Sequence, residues 1–294
     1  MARAFYRNEL LTSLGFLIEL RMRDSTPIPT RLLYLDADSE PPVSMMTTHG
    51  DDTVESQSRG SYSLQDVVIR DARELKPAAS LEREGFELHK QFSKTNDFYD
   101  DEQVRSVYYP EIASLLESAT GANEVVVFDH NTRAEKSAPE RDLAARDPVQ
   151  LVHNDFTEVS GPDRVKRELG EPRAARLLAG RLAIINVWRP IVGPLESKPL
   201  AMCDAQSLGA HDLVAADMVY ANRTGSEYRS RFSINHRWYY YPRLSPDEVL
   251  FIKVCDTAAD GRARFCLHSA FDDPTSPANA APRESIELRA MAFF

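Results

Sequence analysis

The sequence predicts a mainly β protein with flanking helices, its strands closing into a sandwich or a barrel. Three observations carry that expectation. From residue 181 onward, short apolar runs follow one another, separated by turn signals such as Ser245-Pro246-Asp247 and Ala259-Asp260-Gly261. Regularly spaced short runs of this kind read as strands. Two helix-like stretches precede them, at 100–121 and 161–180, and would pack on the outside. The length of 294 residues suits a single domain, since all-β barrels reach that size.

Bulk properties remove several function classes. A net charge of -10 argues against a nucleic-acid partner, whose phosphates want a basic patch. No run of about 18 apolar residues exists, so no membrane helix is expected. Residues 1–7 lack a long apolar segment and a cleavage site, so no secretory signal is read there. The cysteines Cys203, Cys255 and Cys266 lie in apolar, strand-like segments. An odd count without metal-ligand spacing suggests buried free thiols in a reducing compartment, here the cytoplasm.

Taken in order, residues 1–100 are irregular and form a variable N-terminal part. Within it, 31–35 and 66–70 read as strands, and the polar stretch 39–60, with Pro41-Pro42 and Asp51-Asp52, reads as a mobile loop. From 100 to 121, Val104, Val107, Tyr108, Ile112, Leu115 and Leu116 recur at helical steps. Pro110 should kink this helix or split it, and Gly121 should end it. Residues 124–130 read as a buried strand. His130 at its end fits a histidine bonded to a neighbour better than a ligand. Residues 148–152 form an apolar lead-in to Val152-His153-Asn154-Asp155-Phe156-Thr157. In 161–180, Asp163 is the expected N-cap, and Glu171-Pro172 should divide the helix. Strands are then expected at 182–189, 199–204, 229–234, 236–241, 248–255, 264–270 and 285–294.

The chemistry centres on His153-x-Asp155. On a strand, residues i and i+2 share a face, so this imidazole and carboxylate point the same way. Together they make half of a facial triad that holds iron and leaves positions open. The second histidine is placed at His268, in Phe265-Cys266-Leu267-His268-Ser269-Ala270-Phe271. A polar strand end and a satisfied core histidine are the alternatives. Near the C-terminus, Arg283, Ser285, Glu287 and Arg289 fall on one strand face, with Ile286 and Leu288 on the other. Arginines in a core strand are costly unless they meet anions, and guanidinium pairs bidentately with carboxylate. A solvated face with Glu287 paired to Arg289 is the alternative. Asn186 and Trp188 share one face of their strand, which suggests a pocket wall. Arg189 on the other face would bind an anion or brace the barrel. His236, Trp238 and Tyr240 share a face as either a substrate wall or packed core.

His-x-Asp, a distant His and then Arg-x-Ser resemble the iron(II)/2-oxoglutarate-dependent oxygenases. The Arg283 and Arg289 pair resembles the double-arginine strand of AlkB-type members. Several segments are similar to the fungal AsaB hydroxylase/desaturase family, which includes a gibberellin desaturase and CmcJ-like proteins. They are Val107-Tyr108-Tyr109-Pro110-Glu111, His153-Asn154-Asp155, Asn186-Val187-Trp188-Arg189-Pro190, Pro199-Leu200-Ala201-Met202-Cys203-Asp204, His236-Arg237-Trp238-Tyr239-Tyr240, His268-Ser269-Ala270-Phe271 and Arg283-Glu284-Ser285-Ile286-Glu287. The likeness is good over 105–294 and weak before. Leu267 stands where a proline was expected.

The resemblance implies a double-stranded β-helix, that is, a cupin-like jelly-roll barrel, with residues 1–100 covering it and 101–294 supplying helices and core. It implies Fe(II) on His153, Asp155 and His268, and 2-oxoglutarate and O2 as cosubstrates. Arg283 would hold the distal carboxylate with help from Ser285, and Arg289 would be an alternative or second anion contact. The implied reaction is hydroxylation, desaturation or oxidative cyclisation at an unactivated C–H bond of a small secondary-metabolite intermediate. Substrate contacts would be Asn186, Trp188, Arg189, His236 and Trp238, and the oligomeric expectation is a homodimer. Two other classes stay open: a metal-dependent isomerase or hydrolase on the same triad, and a non-catalytic partner protein of a biosynthetic pathway.

Overall fold

The computed structural model describes residues 26–49, 52–135 and 147–294. Two curled sheets face each other as a jelly roll. The larger sheet has the order β1-β4-β12-β9-β14-β7-β11-β10-β2-β3 and the smaller β5-β13-β8-β15-β6. In chain order the strands are β1 (Ile28–Leu35), β2 (Val43–His49), β3 (Asp52–Arg59), β4 (Tyr62–Asp71), β5 (Phe86–Lys90), β6 (Glu124–Ala134), β7 (His153–Asn154), β8 (Leu182–Pro190), β9 (Leu200–Cys203), β10 (Leu213–Tyr220), β11 (Arg223–Ser230), β12 (Trp238–Tyr240), β13 (Glu248–Asp256), β14 (His268–Ala270) and β15 (Glu284–Phe293). The longer helices are α1 (Tyr109–Thr120), α2 (Ser160–Leu169) and α3 (Glu171–Leu177).

Alternation along the strands sorts residues between cores. In β8, Leu182, Ile184 and Trp188 enter the barrel interior with Met202, Tyr239, Ile252 and Met291. The intervening Ala183, Ile185 and Val187 meet Ile112 and Leu116 of α1 on the outer face. Covered on both sides, β8 is buried at every position, which explains its near-continuous apolar run. A third core, with Leu32, Tyr34, Ile69, Cys203, Trp238 and Leu267, lies on the outer face of the larger sheet. The sheet curls so that β1 bridges back to Leu151 and Arg231.

Several local expectations change. The polar stretch 39–60 is largely the β2–β3 hairpin, joined to β10. Ladder hydrogen bonds run between backbones, so apolar alternation is not required to make them. The break expected at Pro110 is a π-helical turn, Val104–Tyr108, and Pro110 sits in the first turn of α1. There its missing N–H costs nothing. Gly121 ends α1 in the left-handed conformation, φ 73°. Asp163 is not the N-cap, because α2 starts at Ser160, while Gly170 at φ 74° separates α2 from α3. The predicted strand 264–270 is ordered as β14 only at His268–Ala270. An unforeseen strand, β10, pairs with β11 as a hairpin between β9 and β12. The cysteines are buried free thiols. No helix among the described residues is long and apolar enough to cross a membrane.

Candidate metal centre and anion pocket

His153 and His268 are brought together by strand register. β7 and β14 are antiparallel neighbours, and the two histidines stand directly opposite each other. Directly opposed residues share a face, and the ring centroids are 4.4 Å apart. Asp155 follows one residue beyond β7. Its Oδ1 lies 3.3 Å from His153 Nε2 and 3.9 Å from His268 Nε2. One donor atom from each residue falls within a 4.8 Å cluster.

The other polar atoms of these three residues are occupied. His153 Nδ1–H donates to the Leu151 carbonyl at 2.7 Å, and His268 Nδ1–H to the Cys266 carbonyl at 3.0 Å. Those bonds fix the tautomer and leave each Nε2 lone pair facing the cluster. Asp155 Oδ2 accepts from Asn186 Nδ2 at 2.8 Å and Arg289 Nε at 3.0 Å, which leaves Oδ1 free. Burial, and then the neighbouring His268, push the His153 pKa down to about 4, so its imidazole is neutral near pH 7. Burial alone would raise Asp155, but Arg289, His153 and His268 outweigh it and hold the carboxyl well below its ordinary range. Two imidazole nitrogens and one carboxylate oxygen suit Fe(II).

Asn154 holds this turn in place. It is fully buried, and Nδ2 donates to the carbonyls of Phe156 at 2.7 Å and Val254 at 2.8 Å. Its Oδ1 accepts from the Cys266 amide at 3.2 Å. One side chain thus ties the segments bearing His153 and His268 to β13. The two-residue period turns Asn154 away from His153 and Asp155 and gives it no role. A buried amide beside two ligand-type residues was the available signal.

The inner face of β15 continues the site. Arg289 stands opposite Asn186 and Glu287 opposite Trp188. Arg289 reaches Asp155, Asp129 at 3.3 Å and Glu287 at 3.3 Å. Arg283 is buried and has no ion pair with a carboxylate among the described residues. Its NH1 donates to the Lys198 carbonyl at 2.8 Å, Nε contacts Ser285 Oγ at 3.2 Å, and the guanidinium lies 4.9 Å over the Trp188 ring. Burial, and then Arg133, lower its pKa to about 9. This is a cation short of counter-charge.

Other residues lie elsewhere. Arg189 projects from the outer face of β8, where it donates to Gln91 Oε1 at 2.6 Å, the Gln91 carbonyl at 2.8 Å and the Pro246 carbonyl. It also stacks with Phe98 and Tyr108, so it braces loops rather than meeting the centre. Trp238 pairs with Cys203, one residue out of phase with the Met202–His268 pair. It therefore faces the third core. There Trp238 Nε1 donates to Tyr34 Oη at 2.8 Å, Tyr34 to His236 Nδ1 at 3.0 Å, and His236 Nε2 to Asp212 at 3.0 Å. His130 accepts from Tyr109 at 2.9 Å, as a neighbour-bonded histidine. Unforeseen near the centre is Arg229 of β11, opposite His153 and paired with Glu227.

Comparison with known proteins places this geometry in a family. Residues 32–293 match the family described as "Oxidoreductase/YMDC permease-like domain". The chain is similar to the hydroxylase/desaturase efuI of Hormonema carpetanum, 34% identical and covering 81% of this chain and 86% of that protein. It is also similar to the alpha-ketoglutarate-dependent dioxygenase phiK of Fungal sp. (strain ATCC 74256), 33% identical and covering 80% and 86%. Among solved structures, the iron and alpha-ketoglutarate-dependent endoperoxidase NvfI superposes with a TM-score of 0.81 at 27% identity, over 91% of this chain and 98% of that one. The chain belongs to the fungal family of Fe(II)/2-oxoglutarate-dependent dioxygenases and hydroxylase/desaturases.

Proposed function

We propose that the protein is an Fe(II)/2-oxoglutarate-dependent dioxygenase that oxidises an unactivated C–H bond of a small secondary-metabolite intermediate. The outcome is hydroxylation, desaturation or oxidative cyclisation. His153, Asp155 and His268 hold the metal, within a single domain. The observation that carries this reading is the convergence of two Nε2 atoms and one carboxylate oxygen, each freed for that purpose by a hydrogen bond elsewhere on its side chain. Bound there, Fe(II) with 2-oxoglutarate and O2 supplies the oxidising power, and the cosubstrate ends as succinate and CO2.

The chain's own residues do the positioning. Arg283, buried and without a carboxylate, receives the distal carboxylate of 2-oxoglutarate, and Ser285 beside it adds a hydroxyl. Arg289 serves chiefly to orient Asp155, since its contacts are with Asp155, Asp129 and Glu287. Asn186 shares that task, and Trp188 forms the wall between Arg283 and the interior. With Oδ2 bonded to Asn186 and Arg289, Asp155 would offer a metal its Oδ1.

The test is anaerobic. Adding Fe(II) and 2-oxoglutarate should produce a weak visible charge-transfer band that neither gives alone, and aerobic turnover should release succinate. Iron binding without the band would favour an isomerase or hydrolase on the same triad. Absence of both would favour a non-catalytic partner protein.

A further inference from the structure

Glu287 has no part in the chemistry described above, yet it stands between Arg283 and Arg289 on the inner face of β15. On β15, Arg283, Ser285, Glu287 and Arg289 share the inner face at two-residue steps. Arg289 adjoins Asp155 at one end, and Arg283 lies at the other. A ligand that reaches both the triad and Arg283 must run along this face, across Glu287. The residues directly opposite Glu287 are Trp188 on β8 and Asn131 on β6, neither of them a cation. Its nearest cation is Arg289, whose NH2 lies at 3.3 Å and which is shared with Asp155 and Asp129; His268 and Arg133 attract it more weakly, and burial and then Asp155 push its pKa up. The carboxylate is therefore incompletely neutralised in a closed, weakly screened site, where like charges repel more strongly than in water.

We propose that Glu287 is a resident counter-anion of the dicarboxylate pocket, which balances its arginines when no ligand is bound and opposes each dicarboxylate that enters. The proposal rests on the reading that Arg283 receives 2-oxoglutarate. Its functional consequence concerns release. The 2-oxo acid end gives 2-oxoglutarate a second hold at the metal, whereas succinate has lost that chelating end and relies more on the arginine end. The repulsion from Glu287 therefore weighs most on the product and helps to expel it. Glu287 acts on the ligand through charge, so it is a positioning residue and not a catalytic one.

The experiment compares wild type with Glu287→Gln, which keeps the shape and removes the charge. Anaerobic Fe(II)-loaded protein at pH 8 is titrated with 2-oxoglutarate, read by the charge-transfer band, and with succinate, read by displacement of that band. Glu287→Gln should bind both about 10-fold or more tightly, while the melting temperature of the ligand-free protein falls because Arg289 loses a partner. A merely structural role would lower both stability and affinity. Glu287→Asp, which keeps the charge, should return affinity towards wild type. Glu287→Thr, smaller and favoured in strands, is the second neutral variant and should shift affinity as Gln does. Unchanged or weaker dicarboxylate binding in the neutral variants, with the band intact in wild type, would overturn the proposal. A wild-type protein that binds iron but gives no band would overturn the functional reading itself.

Discussion

Lys253 and Asp256 are as deeply buried as Arg283, yet the two regions treat their charges differently. Outside the barrel interior, Lys253 Nζ lies 2.9 Å from Asp256 and 3.0 Å from Glu82, and Arg181 lies 2.6 Å from Asp256 and 2.9 Å from Glu82. Every cation meets two carboxylates. The network joins β13, the residue before β8 and the segment before β5, and it needs nothing further. Inside the barrel, the Arg283 guanidinium bonds carbonyl and hydroxyl oxygens but no carboxylate among the described residues, and three ligand-type atoms face one another. Burying an unpaired charge is expensive. A closed network is therefore what architecture uses, and an open one marks where a ligand completes the charge balance.

The comparison can be broken by variants that should affect one region and spare the other. The largest effect is expected from Asp155→Ala, which should abolish stoichiometric Fe(II) binding in a metal assay. The fold should survive, because Arg289 keeps Asp129 and Glu287. Asp256→Ala should destabilise by about 3–5 kcal/mol by leaving a buried lysine short of a partner, read by denaturant unfolding, while Fe(II) still binds to the folded fraction. Arg283→Met should raise the dissociation constant for 2-oxoglutarate by about 10²–10³-fold if a buried charged pair worth about 3–5 kcal/mol is lost, with Fe(II) stoichiometry unchanged. If the same variant leaves 2-oxoglutarate binding intact and Arg289→Met removes it, the anchor has been misassigned. Asn186→Ala should have the smallest effect, weakening metal affinity by about 10–100-fold by freeing Asp155 to rotate. Unaltered metal affinity would leave Asn186 with no role in orienting Asp155.

Much of this was legible in the sequence, for specific reasons. β8 and β13 are nearly continuous apolar runs bounded by turns and β15 alternates polar with apolar residues in its first half, and their expected and observed limits differ by a residue or so. His153, Asp155 and His268 were found because two-residue periodicity and one resemblance agreed. The β2–β3 hairpin was not found, because its sequence is mostly polar and its pairing is made by backbone groups. Trp238 was ambiguous because a period of two says that residues share a face without saying which face. That choice was set by its pairing with Cys203, a contact 35 residues away along the chain (238 − 203). Asn154 and Glu287 were in view, but their roles depend on partners from other strands.

The β10–β11 hairpin has one more consequence. It is inserted between β9 and β12 and joins the centre by two residue pairs to β7, Tyr228 with Asn154 and Arg229 with His153. Those pairs are backbone ladders, indifferent to which side chains the hairpin carries. The wall beside His153 can therefore be rewritten in its shape and polarity while the histidine keeps its position. Such a fold uncouples the placing of the metal-type ligands from the side chains that this hairpin carries.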